Sequence, residues 1–89
     1  MKVTRSAFFV YILQCSDGTY YIGSTNNLER RVHEHNHVKK GARYTKTRRP
    51  VALVHSESFL TLHDARVREY ELKTWTRVRK EKLFKRIID

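Results

Sequence analysis

The chain has 89 residues, 19 of them Lys or Arg against nine Asp or Glu, for a net charge of +10. It is one small domain, of a size that buries only about 60% of its extended surface, and its charge favours a polyanionic partner, most simply nucleic acid, over a basic surface kept for solubility. A single cysteine excludes an internal disulfide, and with no apolar run near the roughly 20 residues of a membrane span and no leader peptide in view, a cytoplasmic setting away from membranes is expected.

Residues 1–7 are polar and expected to fray. Two apolar, aromatic-rich runs, 8–14 and 19–24, flank Ser16-Asp17-Gly18 and read as a β-hairpin. A three-residue loop with Gly18 in the left-handed position pairs Cys15 with Thr19. Tyr11 then lies opposite Gly23, and Tyr21 opposite Leu13. Both phenols share one face, and the missing side chain at Gly23 leaves space over the Tyr11 ring. A two-residue loop would shift the register by one and separate the phenols. Cys15, at the strand end, reads as a small hydrophobe.

Ser24-Thr25-Asn26-Asn27 marks a helix start, with Asn26 as the cap and Glu29 in the capping-box position. The helix is expected to reach about Asn36. Leu28 and Val32 form its apolar stripe. Arg31 and His35 fall on or beside that stripe, while Arg30, His33 and Glu34 point away. An inner face half made of Arg and His packs poorly, and such violations concentrate at functional sites.

Residues 37–50 show no clear period, which favours a binding loop. Lys39, Lys40, Arg43, Lys46, Arg48 and Arg49 are candidate phosphate contacts, and Tyr44 a candidate base-stacking ring. The plainer reading is a solvated charge run. Pro50 opens a third strand over 51–59, whose apolar first half is expected to be covered on both faces. Thr61 caps a second helix with the inward stripe Leu62, Ala65, Glu69, Leu72. Thr76 restarts a third helix over 77–88, apolar through Leu83, Phe84, Ile87 and Ile88.

The pattern therefore turns five polar side chains inward: Tyr11, Tyr21, Arg31, His35 and Glu69. Together they compose a phosphodiester-cleaving set. A carboxylate on an apolar helix face needs a cation. Glu69 would hold one divalent ion, Mg²⁺ or Mn²⁺, completed by water and phosphate oxygens. Arg31 would neutralise the transition-state phosphorane. Tyr11 would act on the attacking water, either with a pKa lowered by Arg31 or the metal, or by passing its proton onward. His35 would accept or relay that proton, and Tyr21 would position water or phosphate. Plainer roles exist for each. A strand tyrosine is commonly core, a histidine at a helix end is commonly structural, and Arg31 with Glu69 could be a buried ion pair. His33, His35 and His37 alternate, but residues two apart on a helix do not face one another, so zinc is discounted.

Val10-Tyr11-Ile12 and, ten positions on, Tyr21-Ile22-Gly23 resemble the paired strands of the GIY-YIG nuclease family, with Val10 where the first Gly stands. The resemblance continues in Arg31-Val32-His33-Glu34-His35, whose spacing gives Arg31 the role of the family's arginine. It continues again in Glu69, on a later helix, as the metal-binding glutamate. Gly41-Ala42-Arg43-Tyr44-Thr45 and Arg49-Pro50-Val51 resemble the small stand-alone bacterial members, so the likeness covers about residues 8–85. The polar residue, often Asn, that many members carry near the end of the domain has no clear equivalent here. The resemblance implies an α+β fold of order β-β-α-β-α-α, a three-stranded antiparallel sheet flanked by helices, and a divalent-metal endonuclease acting on nucleic acid, DNA ahead of RNA. A nucleic-acid-binding module with weak or lost cleavage is the alternative, and a protein-interaction domain a third. A protein partner or a dimer is compatible with either.

Overall fold

A computed structural model of the chain describes residues 7–37 and 43–85. The strands are β1 (Phe8–Gln14), β2 (Tyr20–Thr25) and β3 (Ala52–Phe59). The helices are α1 (Leu28–His37), α2 (Arg43–Lys46), α3 (Leu62–Lys73) and α4 (Arg77–Glu81). The expected order stands, with one addition: α2 is a four-residue helical turn inside the stretch read as an aperiodic loop. Lys39 and Lys40, with Ile87 and Ile88, lie outside the described residues.

The hairpin forms in the three-residue register. Cys15 N–H donates to the Thr19 carbonyl at 2.8 Å, and Gly18 has φ +87°, the left-handed conformation that only glycine adopts cheaply. Tyr11 pairs with Gly23 and Leu13 with Tyr21. The sheet is antiparallel in the order β2-β1-β3. The strand covered on both faces is thus β1, and β3 lies at an edge. Ala52 and Leu53 are exposed, which corrects the expectation for β3. The physical reason is the competition between two apolar runs for one inner position. The run 8–13 is longer and more aromatic, and it alone can bury both of its faces.

Alternation along β1 divides the core in two. Val10 and Ile12, with Ile22, pack against Ala65 and Leu72 of α3 and against Trp75, Leu83 and Phe84. Tyr11, Leu13 and Cys15 face the other way, onto Val51, Tyr21, Leu28 and Val32. Thr61 caps α3 as expected, accepting from the Asp64 N–H at 3.1 Å. Leu62, expected inward, is exposed in the first turn. At α1 the cap is Asn27 rather than Asn26, because Asn27 Oδ1 accepts from the Arg30 N–H at 3.0 Å. Asn26 instead accepts from the Arg30 guanidinium. Thr76 restarts the chain into α4, which is only five residues long. It is held to β2 by Tyr20, whose hydroxyl donates to Glu81 at 2.7 Å and whose ring carries Arg77.

Candidate active site

Tyr11 sits in the central strand and is 1% exposed. Its ring lies across Gly23 of β2; a Cβ there would come within 2.7 Å of Tyr11 Cζ. The phenol is held by His35, whose Nε2 is 2.9 Å from Tyr11 Oη. His35 Nδ1 in turn is 2.8 Å from Thr45 Oγ1 on α2. All three side chains are buried. The guanidinium of Arg31, on α1, also hydrogen-bonds the phenol. Arg31 has no acceptor atom, so Tyr11 accepts from it and donates its own proton to His35 Nε2. Nδ1 of His35 then carries the ring proton and donates to Thr45.

Burial sets the protonation states. It pushes the Tyr11 phenol up to about 12, and the Arg31 guanidinium offsets this only in part. Burial, then the charges of Arg31 and Arg49, pushes His35 down to about 4, against the pull of Glu34. Of the two routes open in the sequence for Tyr11, a lowered pKa in the free protein is therefore closed, and a neutral phenol bonded to a neutral imidazole is what the fold builds.

Tyr21 lies on the same face, its ring 6.4 Å from Tyr11, 5.1 Å from His35 and 6.0 Å from Tyr44. Glu69 projects from α3, on the opposite side of the sheet, where it meets Ser24 of β2. Ser24 Oγ donates to Glu69 Oε1 at 2.8 Å, and Lys73 Nζ is 2.9 Å from Oε2. The Glu69 side chain is 19% exposed, and its charge is felt at Tyr11. Adjacent residues of one edge strand thus join the two halves of the site: Gly23 beneath Tyr11, and Ser24 against Glu69. Glu69 takes Lys73 as an ion-pair partner. Arg31 pairs with Glu34 at 2.8 Å, and Glu34, expected to point outward, is half-buried for that reason.

The candidate nucleic-acid contacts of the 43–49 stretch divide. Arg43, Tyr44 and Lys46 are exposed. Arg48 lies 3.9 Å over the Tyr44 ring and pairs with Asp17 at 3.0 Å, tying α2 to the hairpin turn. Arg49 turns inward and donates to the carbonyls of His35 and Glu34. Beside it, Asn36 accepts from the Val51 N–H at 2.7 Å and donates to the Val51 carbonyl at 3.0 Å. These bonds fix the last turn of α1, and with it the height of His35 over Tyr11.

Ser24, Glu34, Thr45 and Lys73 escaped the sequence reading. Ser24 had a usable signal, since it follows Ile22 by two and so shares the face of α3. Thr45 had none, because α2 interrupts a stretch without period. His33 and His37, four apart, do stack, with ring centroids 4.5 Å apart. Even so, among the described residues no three metal-ligating side chains gather to hold a metal ion. A single carboxylate, held by Ser24 on one oxygen, paired with the half-exposed Lys73 on the other and edged by a small cleft, fits a hard divalent cation that keeps most of its shell as water and phosphate oxygen once Lys73 moves aside.

Residues 7–82 match the GIY-YIG catalytic domain. The chain is 52% identical over 84 residues to a UPF0213 protein of Desulfotalea psychrophila, spanning 94% of this chain and 76% of that one. It is 52% identical over 75 residues to a UPF0213 protein of Halobacterium salinarum, spanning 84% and 96%. Two solution NMR structures share the fold. A UPF0213 protein of Bacillus halodurans is 42% identical, with a TM-score of 0.54 and coverage of 85% of this chain and 80% of that one. A protein of E. faecalis is 43% identical, with a TM-score of 0.58 and coverage of 92% and 85%. The run of relatives and the paired strands agree: this chain belongs to the GIY-YIG catalytic-domain family, among its UPF0213 proteins.

Proposed function

We propose that the protein is a metal-dependent endonuclease that hydrolyses phosphodiester bonds in nucleic acid, DNA ahead of RNA. The observation that carries this reading is the buried line Tyr11–His35–Thr45 with Arg31 on the phenol oxygen. Nothing in ordinary core packing calls for a phenol, an imidazole and a guanidinium to meet over a glycine. Glu69 would hold Mg²⁺ or Mn²⁺, and that ion, when bound, supplies positive charge against the phosphate and acidifies water.

The side chains do the rest. Arg31 is one-quarter exposed, and its guanidinium would meet the scissile phosphate. Phosphate bound there cancels the charge that helps hold His35 down, so substrate itself makes the imidazole a better base. The proton of the attacking water passes to Tyr11 Oη as the Tyr11 proton moves to His35 Nε2, and no phenolate need form. Tyr21 borders the same space and orients water or phosphate. The exposed Arg43 and Lys46 contact the backbone of the strand.

The test is cleavage of labelled single strands, duplexes and branched substrates, with Mg²⁺, Mn²⁺ or chelator. Metal-dependent cutting is expected, reduced at least about 100-fold in Arg31→Ala and Glu69→Ala with binding retained. Binding without cutting in every condition would instead favour the module reading. The Lys73–Glu69 ion pair is the feature that speaks for it, since Lys73 competes for the oxygen a metal would use.

A further inference from the structure

Helix α3 carries an aromatic ring that this scheme leaves unused. Tyr70 is 76% exposed, more than any other large apolar or aromatic side chain described. It lines a cleft of about 210 Å³ together with Arg66, Glu69 and Lys73. Tyr20 and Tyr44 each lie under an arginine; no such cation covers Tyr70 among the described residues. Positions 66, 69, 70 and 73 fall three and four apart, so a single face of α3 sets an open ring between two cations and the candidate metal carboxylate. Lys73 is half exposed on a flexible stem, so it can leave Glu69 for a strand phosphate.

A ring of this kind accepts the flat face of a base. Inside a duplex that face is covered by the next base pair, so only an unpaired or terminal base can reach it. We infer that Arg66, Tyr70 and Lys73 form a strand-binding subsite, with Tyr70 stacked on an unpaired base and the cations on its flanking phosphates. The preferred substrate then carries an unpaired nucleotide beside the bond to be cut. The inference rests on the nuclease reading for the placing of Glu69 at the reacting phosphate.

The experiment uses the full chain without metal, in chelator, so that nothing is cut. A short single strand carrying 2-aminopurine and a blunt duplex of the same sequence are titrated. Fluorescence quenching reports stacking, and anisotropy reports affinity. The single strand is expected to bind more tightly and to be quenched. Tyr70→Ala should weaken strand binding about tenfold, abolish the quench and leave the salt dependence unchanged, while Tyr70→Trp retains both. Arg66→Ala should weaken both ligands and lower the salt slope by about one. If Tyr70→Ala binds the strand as tightly as wild type, or loses equally on strand and duplex, the subsite is overturned. Cleavage with Mg²⁺ is scored separately. A protein that cuts but ignores Tyr70 refutes the subsite alone, and one that stacks through Tyr70 but never cuts refutes the nuclease reading alone.

Discussion

An alanine at position 23 would place its Cβ within 2.7 Å of Tyr11 Cζ, and the phenol is walled in by His35 and Arg31. Gly23→Ala should therefore cost about 1–3 kcal/mol by overpacking, read by urea unfolding, and should disturb the Tyr11–His35 bond as well. Tyr11→Phe keeps the shape and removes the hydroxyl; it should fold, and lose cleavage at least about 100-fold. His35 makes a pH prediction. Its pKa is about 4 when folded against an ordinary 6.5, so the unfolded chain binds the extra proton first. The stabilising contribution is full above about pH 6.5 and is lost as pH falls through about 4, to the extent of roughly 3 kcal/mol. Wild type should lose more stability than His35→Gln between those limits, measured by thermal melts across pH. For the same reason the pH profile of kcat/KM, which reports the free enzyme, should show no inflection near 6.5.

At the scale of elements, the placing of α3 decides where Glu69 arrives. Arg68 Nε lies 2.8 Å from Glu57 of β3, and His55 also meets that carboxylate at 2.8 Å. The Arg68 guanidinium holds the Glu57 carboxyl below the usual carboxylate range. This clamp joins the edge strand to the helix, and both partners are about three-quarters buried. Arg68→Ala should destabilise by about 1–2 kcal/mol at neutral pH. Because the folded carboxyl is depressed, that difference should be present at neutral pH and shrink on acidification, which unfolding curves near pH 7 and at lower pH would show. The start of α3 was legible in Thr61 followed by Asp64, since an N-cap is a local event. The exposure of Leu62 was not, because it depends on where the helix meets the sheet. The same distinction separates β1 from β3: both open on apolar runs, and which of them lies inside depends on how the strands pair.

For the molecule as a whole, charge governs encounter with substrate. With a net charge of +10, nucleic-acid binding should be steeply salt-dependent. If about four phosphates are contacted, affinity should fall roughly 100-fold between about 50 and 200 mM salt, checked by anisotropy titrations. Among the described residues no helix is long and apolar enough to cross a membrane. The hairpin register, the shared face of Tyr11 and Tyr21, and the misplaced Arg31, His35 and Glu69 could all be read from residues close in the chain, because turn geometry and helical period are local. The family resemblance then extended that reading across the chain. Four matters waited on the tertiary structure: the central place of β1, the inward turn of Arg49, the Thr45 hydroxyl behind His35, and the protonation of Tyr11. Each depends on which distant side chains exclude water from a given atom, and burial of that kind is a property of packing, not of spacing along the chain.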